Sequence, residues 1–234
     1  LPLGLQFSIL AVGIIVMQGA VVRFDIAENG IMVPGTPAQN GFSAANKLIN
    51  FLMALYNGLA SAILGFNAQN YGKSDYRRIR QGTRQSLIIM LIMYAFCLTA
   101  GLLLSIGGAY QHIFMSEDKI SAASVRFGNT YLYVDFILYF ILGFLIVTRS
   151  AVQGITKVGY VLGAGVAELV SRVLICAYLP ALVNGGATDA SASLASFAAV
   201  CFGDPGAWLL ASLVLLVPTV KYIFRMQYKK EVSG

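Results

Sequence analysis

The chain has 234 residues, of which 58% are hydrophobic and only 11% are charged. Soluble domains carry about 25% charged residues; this composition, with a mean hydropathy of +0.75, excludes a disordered chain, a secreted disulfide scaffold and an ordinary soluble enzyme. The fold class is therefore all-α and polytopic in a membrane. The net charge of +6 reads as topology rather than nucleic-acid binding, because Lys and Arg sit at the ends of apolar segments.

A spanning helix needs about 20 mostly apolar residues, and six segments meet or approach that length. Residues 3–22 are uncharged and stop at Arg23. A loop with Pro34 and Pro37 follows over 25–40. Residues 48–69 form the second span, with Gly58, Ala60, Ser61, Ala62 and Gly65 favouring close packing. The basic run 71–84 follows, read as a topology anchor lying on headgroups rather than an RNA or anionic-lipid site. Residues 86–108 form the third span, 127–148 the fourth with Asp135, and 158–183 the fifth with Glu168 and Arg172. Between the last two spans, 191–200 reads as a short interfacial helix. The sixth span, 205–224, is short, but Lys221 can snorkel. None of the runs alternates as a barrel strand would.

Loop charge predicts orientation. The segments after the second and fourth spans, with the tail, hold Lys73, Arg77, Arg78, Arg80, Arg84, Arg149, Lys157, Lys221, Arg225, Lys229 and Lys230, which is 11 of the 16 basic residues. The opposite loops hold Arg23, Lys47, Lys119 and Arg126 beside Asp25, Glu28, Glu117, Asp118, Asp189 and Asp204. Both ends of the chain are accordingly expected in the cytoplasm, as an even span count requires. The chain starts at Leu1 and is apolar at once, with no signal peptide, and it reads as a piece of a longer protein.

No catalytic constellation is visible. His112 is alone in a loop, and no HExxH, CxxC, GxSxG or Walker motif occurs. Cys97, Cys176 and Cys201 are isolated and lack metal spacing, so they read as packing residues. The chain is read as a non-enzyme with no catalytic residue, no metal site and no cofactor.

Polar residues inside the spans carry more information, because each is costly in lipid. In the second span Asn46, Asn50, Asn57 and Ser61 share a helical face, either as solute-binding amides or as interhelical hydrogen bonds. In the fourth, Asp135, Tyr139, Leu142, Ile146, Arg149 and Gln153 share a face. Two readings stand: this face lines an aqueous or protein-lined path, or Asp135 sits near the outer interface while Arg149 and Gln153 mark the opposite helix end. In the fifth, Glu168 and Arg172 lie four residues apart, which allows a direct pair serving as a latch or an ion-coupled switch.

At this point the chain resembles a family. The stretch GFSAANKLINFLMALYNGLASAILGFNAQNYGKSDYRRIRQGTRQSL is similar to the second helix and basic loop of a lobe in multidrug and toxic compound extrusion (MATE) transporters. Gly41, Phe42, Ala44, Asn46, Lys47, Gln69, Asn70, Gly72, Arg78 and Gly82 carry that likeness. VTRSAVQGITKVGYVLGAGVAELVSR resembles the family's fourth-to-fifth helix junction through Arg149, Ser150, Gln153, Gly154, Glu168 and Arg172, and FGDPGAWLLAS is a weaker third match. The resemblance implies the C-terminal six-helix lobe of a two-lobe transporter in the plasma (inner) membrane. It implies antiport driven by Na+ or H+, with small organic cations or drugs as substrate and a second, N-terminal lobe as partner. The candidate pathway residues are Asn46, Asn50, Asn57, Asp135, Tyr139, Arg149, Gln153, Glu168 and Arg172. A lipid-linked sugar flippase of the same superfamily and a non-transporting membrane scaffold are the alternatives.

Overall fold

A computed structural model describes residues 2–225. Lys229 and Lys230, counted above in the basic tail, lie outside the described residues. The helices are α1 (Pro2–Val22), α2 (Pro37–Gly72), α3 (Tyr76–Ser105), α4 (Ala109–Phe114), α5 (Ala122–Gly154), α6 (Val158–Asn184), α7 (Leu194–Cys201) and α8 (Gly203–Pro218), closed by a π-helical turn over Thr219–Phe224. Among the described residues five helical stretches are long and apolar enough to cross a membrane. The remaining anticipated span, 3–22, corresponds to α1, 21 residues long, whose first side chains are not described.

Several helices run past their anticipated ends, for local reasons. The prolines at 34 and 37 point to a loop as far as Asn40, yet Pro37 lies in the first turn of α2, where its missing N–H is no loss. Thr36 precedes it at a left-handed φ of 37° and gives no side-chain cap. Asp25 caps the helix from a distance instead: its Oδ1 accepts from Ala38 N at 2.9 Å and its Oδ2 from Gln39 N at 2.8 Å. Asp25 is fully buried there, so it is a structural anchor rather than a surface charge. Asp25→Ala should lower stability by about 1–2 kcal/mol, the usual worth of a helix cap; a thermal melt unchanged from wild type would contradict this role.

The basic run is partly helical. It is a turn over 73–75 followed by the first turns of α3, where Asp75 accepts from Arg78 N at 3.0 Å as a cap. Ile79 and Thr83 are buried on one face of that helix, and Arg77, Arg78 and Arg84 stand exposed on the others. His112, anticipated in a loop, lies on α4 with its Nδ1 2.8 Å from Glu117 Oε1. The segment anticipated as an interfacial helix is α7, whose Ser196, Phe197, Ala199, Val200 and Cys201 are buried. With α8 it makes one helical stretch, Leu194–Phe224, long and apolar enough to cross a membrane.

The core is built on α2 and α5, which run side by side in the same direction. A Cβ on Gly41 would collide with the backbone of Ser124 and Gly128, and one on Gly154 with the backbone of Leu64 and Ala68. Those two glycines let the helices touch at both ends; between them Tyr56 and Tyr139 meet edge to face at 5.3 Å. Gly58 and Gly65 do not serve packing as anticipated: nothing lies within 4 Å of a Cβ at either. Outside the core, only 17% of the most apolar stretch of Tyr76–Phe114 is buried. Exposed Ile88, Ile92, Phe96 and Leu103 on α3 are explained by lipid as their solvent.

The basic segments gather at one end of the bundle. Arg80 Nε donates to Ile223 O at 3.5 Å, and Lys157 Nζ lies over the Tyr222 ring. At the opposite end Lys47 Nζ donates to Phe114 O at 3.1 Å, and Ala190 N to Ile26 O at 2.8 Å.

Candidate functional site

Three helices converge on a row of charges. Arg149 of α5 places Nη2 2.6 Å from Glu168 Oε2 of α6. One turn further along α6, Arg172 Nη2 lies 3.6 Å from Glu168 Oε1 and 2.7 Å from Asp204 Oδ1 in the first turn of α8. Tyr131 of α5 closes the row by donating its hydroxyl to Asp204 Oδ2 at 2.8 Å. The anticipated Glu168–Arg172 pair is therefore present only as the longest link of a chain of four charges. Each carboxylate has a nearer guanidinium on another helix. The short contacts are charge-assisted hydrogen bonds, about twice as strong as neutral ones, so the chain ties α5, α6 and α8 together.

Asp204 was missed as a site residue because its place just before Pro205 reads as external loop. A carboxylate at the first turn of a helix, followed by Pro at the next position, is the available sequence signal. Gly13 was missed as well. A Cβ there would meet the Arg172 guanidinium, so α1 approaches the network closely only because this residue has no side chain.

The row opens on a cavity of about 350 Å³, whose lining includes Asn46, Asn50 and Asn57 of α2, Asp135 and Arg149 of α5, Glu168 and Arg172 of α6, and Asp204 and Trp208 of α8. Two of the α2 amides engage each other, Asn50 Nδ2 donating to Asn46 O at 2.8 Å and to Asn46 Oδ1 at 3.0 Å. Leu142 and Ile146 add apolar wall. Tyr139 shares the α5 stripe but turns into the core, donating to Ile49 O at 3.3 Å. Gln153 and Ser61 do not line the cavity; Ser61 donates to Asn57 O at 3.0 Å.

Asp135 differs from the other acids. It is fully buried within the bundle, and neither carboxylate oxygen makes a hydrogen bond of good geometry, although Tyr131, Arg172 and Asp204 lie close enough to act on it. Three carboxylates and two guanidiniums thus face one cavity. Two of the acids are matched by the two arginines, and Asp135 is the remainder. The cavity wall therefore carries one more carboxylate than guanidiniums. An ionised carboxylate without an ion pair is strongly disfavoured in low dielectric, and it is relieved by a proton or a cation. Among the described residues no group of three His, Cys, Asp or Glu side chains is placed to hold a metal ion.

A family model described as MatE matches residues 32–178, a stretch that includes Asn46, Asp135, Arg149, Glu168 and Arg172 but stops short of Asp204. No curated protein and no solved structure matches the chain.

Proposed function

The chain belongs to the MatE family of membrane transporters, and on that premise we propose that it is one six-helix lobe of a cation-coupled antiporter. The lobe pairs with a second six-helix lobe and rocks against it around the cavity, exposing the site to each side in turn. Na+ or H+ biases the two states by binding one more tightly than the other. The exported substrate is a drug or another small organic cation. The observation that carries the reading is Asp135, a buried carboxylate with no ion pair among the described residues, at the wall of a cavity with one more carboxylate than guanidiniums.

The flippase alternative needs free cationic side chains to hold a pyrophosphate. Arg149 and Arg172, which line the cavity, are each bound to a carboxylate. A scaffold would have no use for an unmatched acid facing a cavity.

The test is transport by the full-length protein in proteoliposomes, with ethidium as the cationic probe. Imposed Na+ or proton gradients should drive ethidium movement, and collapsing the gradient should stop it. Movement indifferent to both gradients would refute coupling.

The same reading places the basic end in the cytoplasm of the plasma membrane, with both ends of the chain on that side, because cationic loops stay inside. In a cysteine-free background, a cysteine at Ser74 should resist an impermeant thiol reagent applied from outside, and one at Asn29 should react. The reverse pattern would invert the orientation.

A further inference from the structure

The basic end of the bundle carries a feature that the cavity does not use. Lys157 Nζ lies 4.8 Å from the centre of the Tyr222 ring, and Lys221 Nζ lies 5.2 Å from it. Two ammonium groups thus share one aromatic ring, with Tyr160 packed beside it at 6.1 Å. Each ammonium is attracted to the face of that ring, which gathers positive charge at this end of the bundle without neutralising it. Among the described residues neither lysine has a carboxylate partner. The field is strengthened by the start of α6, which begins at Lys157 with no side-chain cap and no acid in its first turn.

Beside this cluster runs a groove of about 440 Å³, lined by Leu216, Val217, Val220, Lys221 and Arg225. Its floor is apolar and exposed, with Leu216 at 44% and Val217 at 58%. Its rim is cationic. The π-helical turn, in which Arg225 N donates to Val220 O at 2.8 Å, is a widened turn of a kind often found at functional sites.

An apolar floor under a cationic rim, at the end of a membrane-spanning helix, matches one class of ligand in both parts. A phospholipid lays an acyl chain along the floor and sets its phosphate at the rim, where basic clusters attract anionic headgroups. A soluble anion leaves the floor uncovered. A protein partner docking through apolar contacts leaves the cations unmatched. We propose that this groove is a site for one anionic phospholipid, its phosphate held by Lys221 and Arg225, with Lys157 adding positive charge from across the Tyr222 ring, and its chain laid on Leu216, Val217 and Val220. The inference rests on the chain spanning a membrane and not on what it transports, so its test contains no transport readout.

The full-length protein is placed in nanodiscs of phosphatidylcholine doped with phosphatidylglycerol, and retained lipid is counted by native mass spectrometry. Wild type should retain one phosphatidylglycerol in preference to phosphatidylcholine. The double variant Lys157→Gln with Lys221→Gln should lower that occupancy roughly tenfold or more, from the loss of two cations near the surface. Lys157→Arg with Lys221→Arg should retain it. Val217→Trp, which fills the groove and keeps every charge, should lose the lipid. Lys73→Gln with Arg77→Gln removes two charges from the same end away from the groove and should change nothing. Equal retention of both lipids by wild type, full retention by the glutamine pair or by Val217→Trp, or an equal loss in the Lys73 and Arg77 control would each overturn the site.

Discussion

Arg172→Gln is expected to be the most damaging single substitution in the charge network. Among the described residues its guanidinium is the only group bound to both acids, Glu168 at 3.6 Å and Asp204 at 2.7 Å, and its side chain is 5% exposed. Removing it leaves Asp204 with Tyr131 alone and leaves a gap beneath Gly13. Breaking a buried pair by deleting one partner costs about 3–5 kcal/mol in soluble proteins, and an effect of that order is expected in a thermal melt of the full-length protein. The order of the double variants distinguishes this network from a simple local pair. If Glu168 and Arg172 paired only with each other, removing both would restore stability. The observed geometry predicts that it does not, because Arg149 and Asp204 are then both stranded. The compensated double is Arg149→Gln with Glu168→Gln, which removes the 2.6 Å pair and leaves Arg172 on Asp204. That variant should melt above Glu168→Gln with Arg172→Gln. The opposite order would show that the 3.6 Å contact, not the cross-helix pairs, holds the helices.

The difference between the two versions of this site shows what sequence periodicity can and cannot carry. Spacing within one helix is legible, because 3.6 residues per turn puts Glu168 and Arg172 on one face and aligns Asp135 with Arg149. Partners on other helices are not legible that way: the separations from Arg149 to Glu168 and from Arg172 to Asp204 are set by how α5, α6 and α8 dock. The docking depends on short backbone approaches at Gly41 and Gly154, whose sequence signal is only a glycine among many. The membrane class and most of the spans were legible because lipid demands long apolar runs. Helix ends were less so. Asp25 caps α2 across 13 residues of chain, a contact that no local capping pattern announces, and Pro37 reads equally well as a loop residue and as a first-turn residue.

Asp135 gives the largest expected functional effect. Asp135→Asn keeps the shape of the side chain and removes a charge that forms no ion pair among the described residues, so folding should be intact or improved; replacing an unmatched buried charge by a neutral isostere does not strand anything. Coupling should suffer, because a neutral amide neither binds Na+ as a counter-charge nor takes up a proton. Without differential binding of the driving ion a gradient no longer shifts the balance between states. Gradient-driven ethidium efflux should fall roughly tenfold or more, the factor expected if about 1.4 kcal/mol or more of differential binding is removed. The dependence on the driving ion distinguishes the two carriers. If Asp135 carries a proton, wild-type efflux varies with pH and the residual efflux of Asp135→Asn does not. If it carries Na+, wild-type efflux rises with Na+ and the variant's residual efflux is flat. Asp135→Glu keeps the carboxylate and should retain part of the coupling, which ties the loss to charge rather than to shape. Undiminished gradient-driven efflux by a well-folded Asp135→Asn would remove Asp135 from the coupling mechanism. A melt far below wild type for the same variant would assign the carboxylate to the fold instead, with a counter-charge supplied by the second lobe.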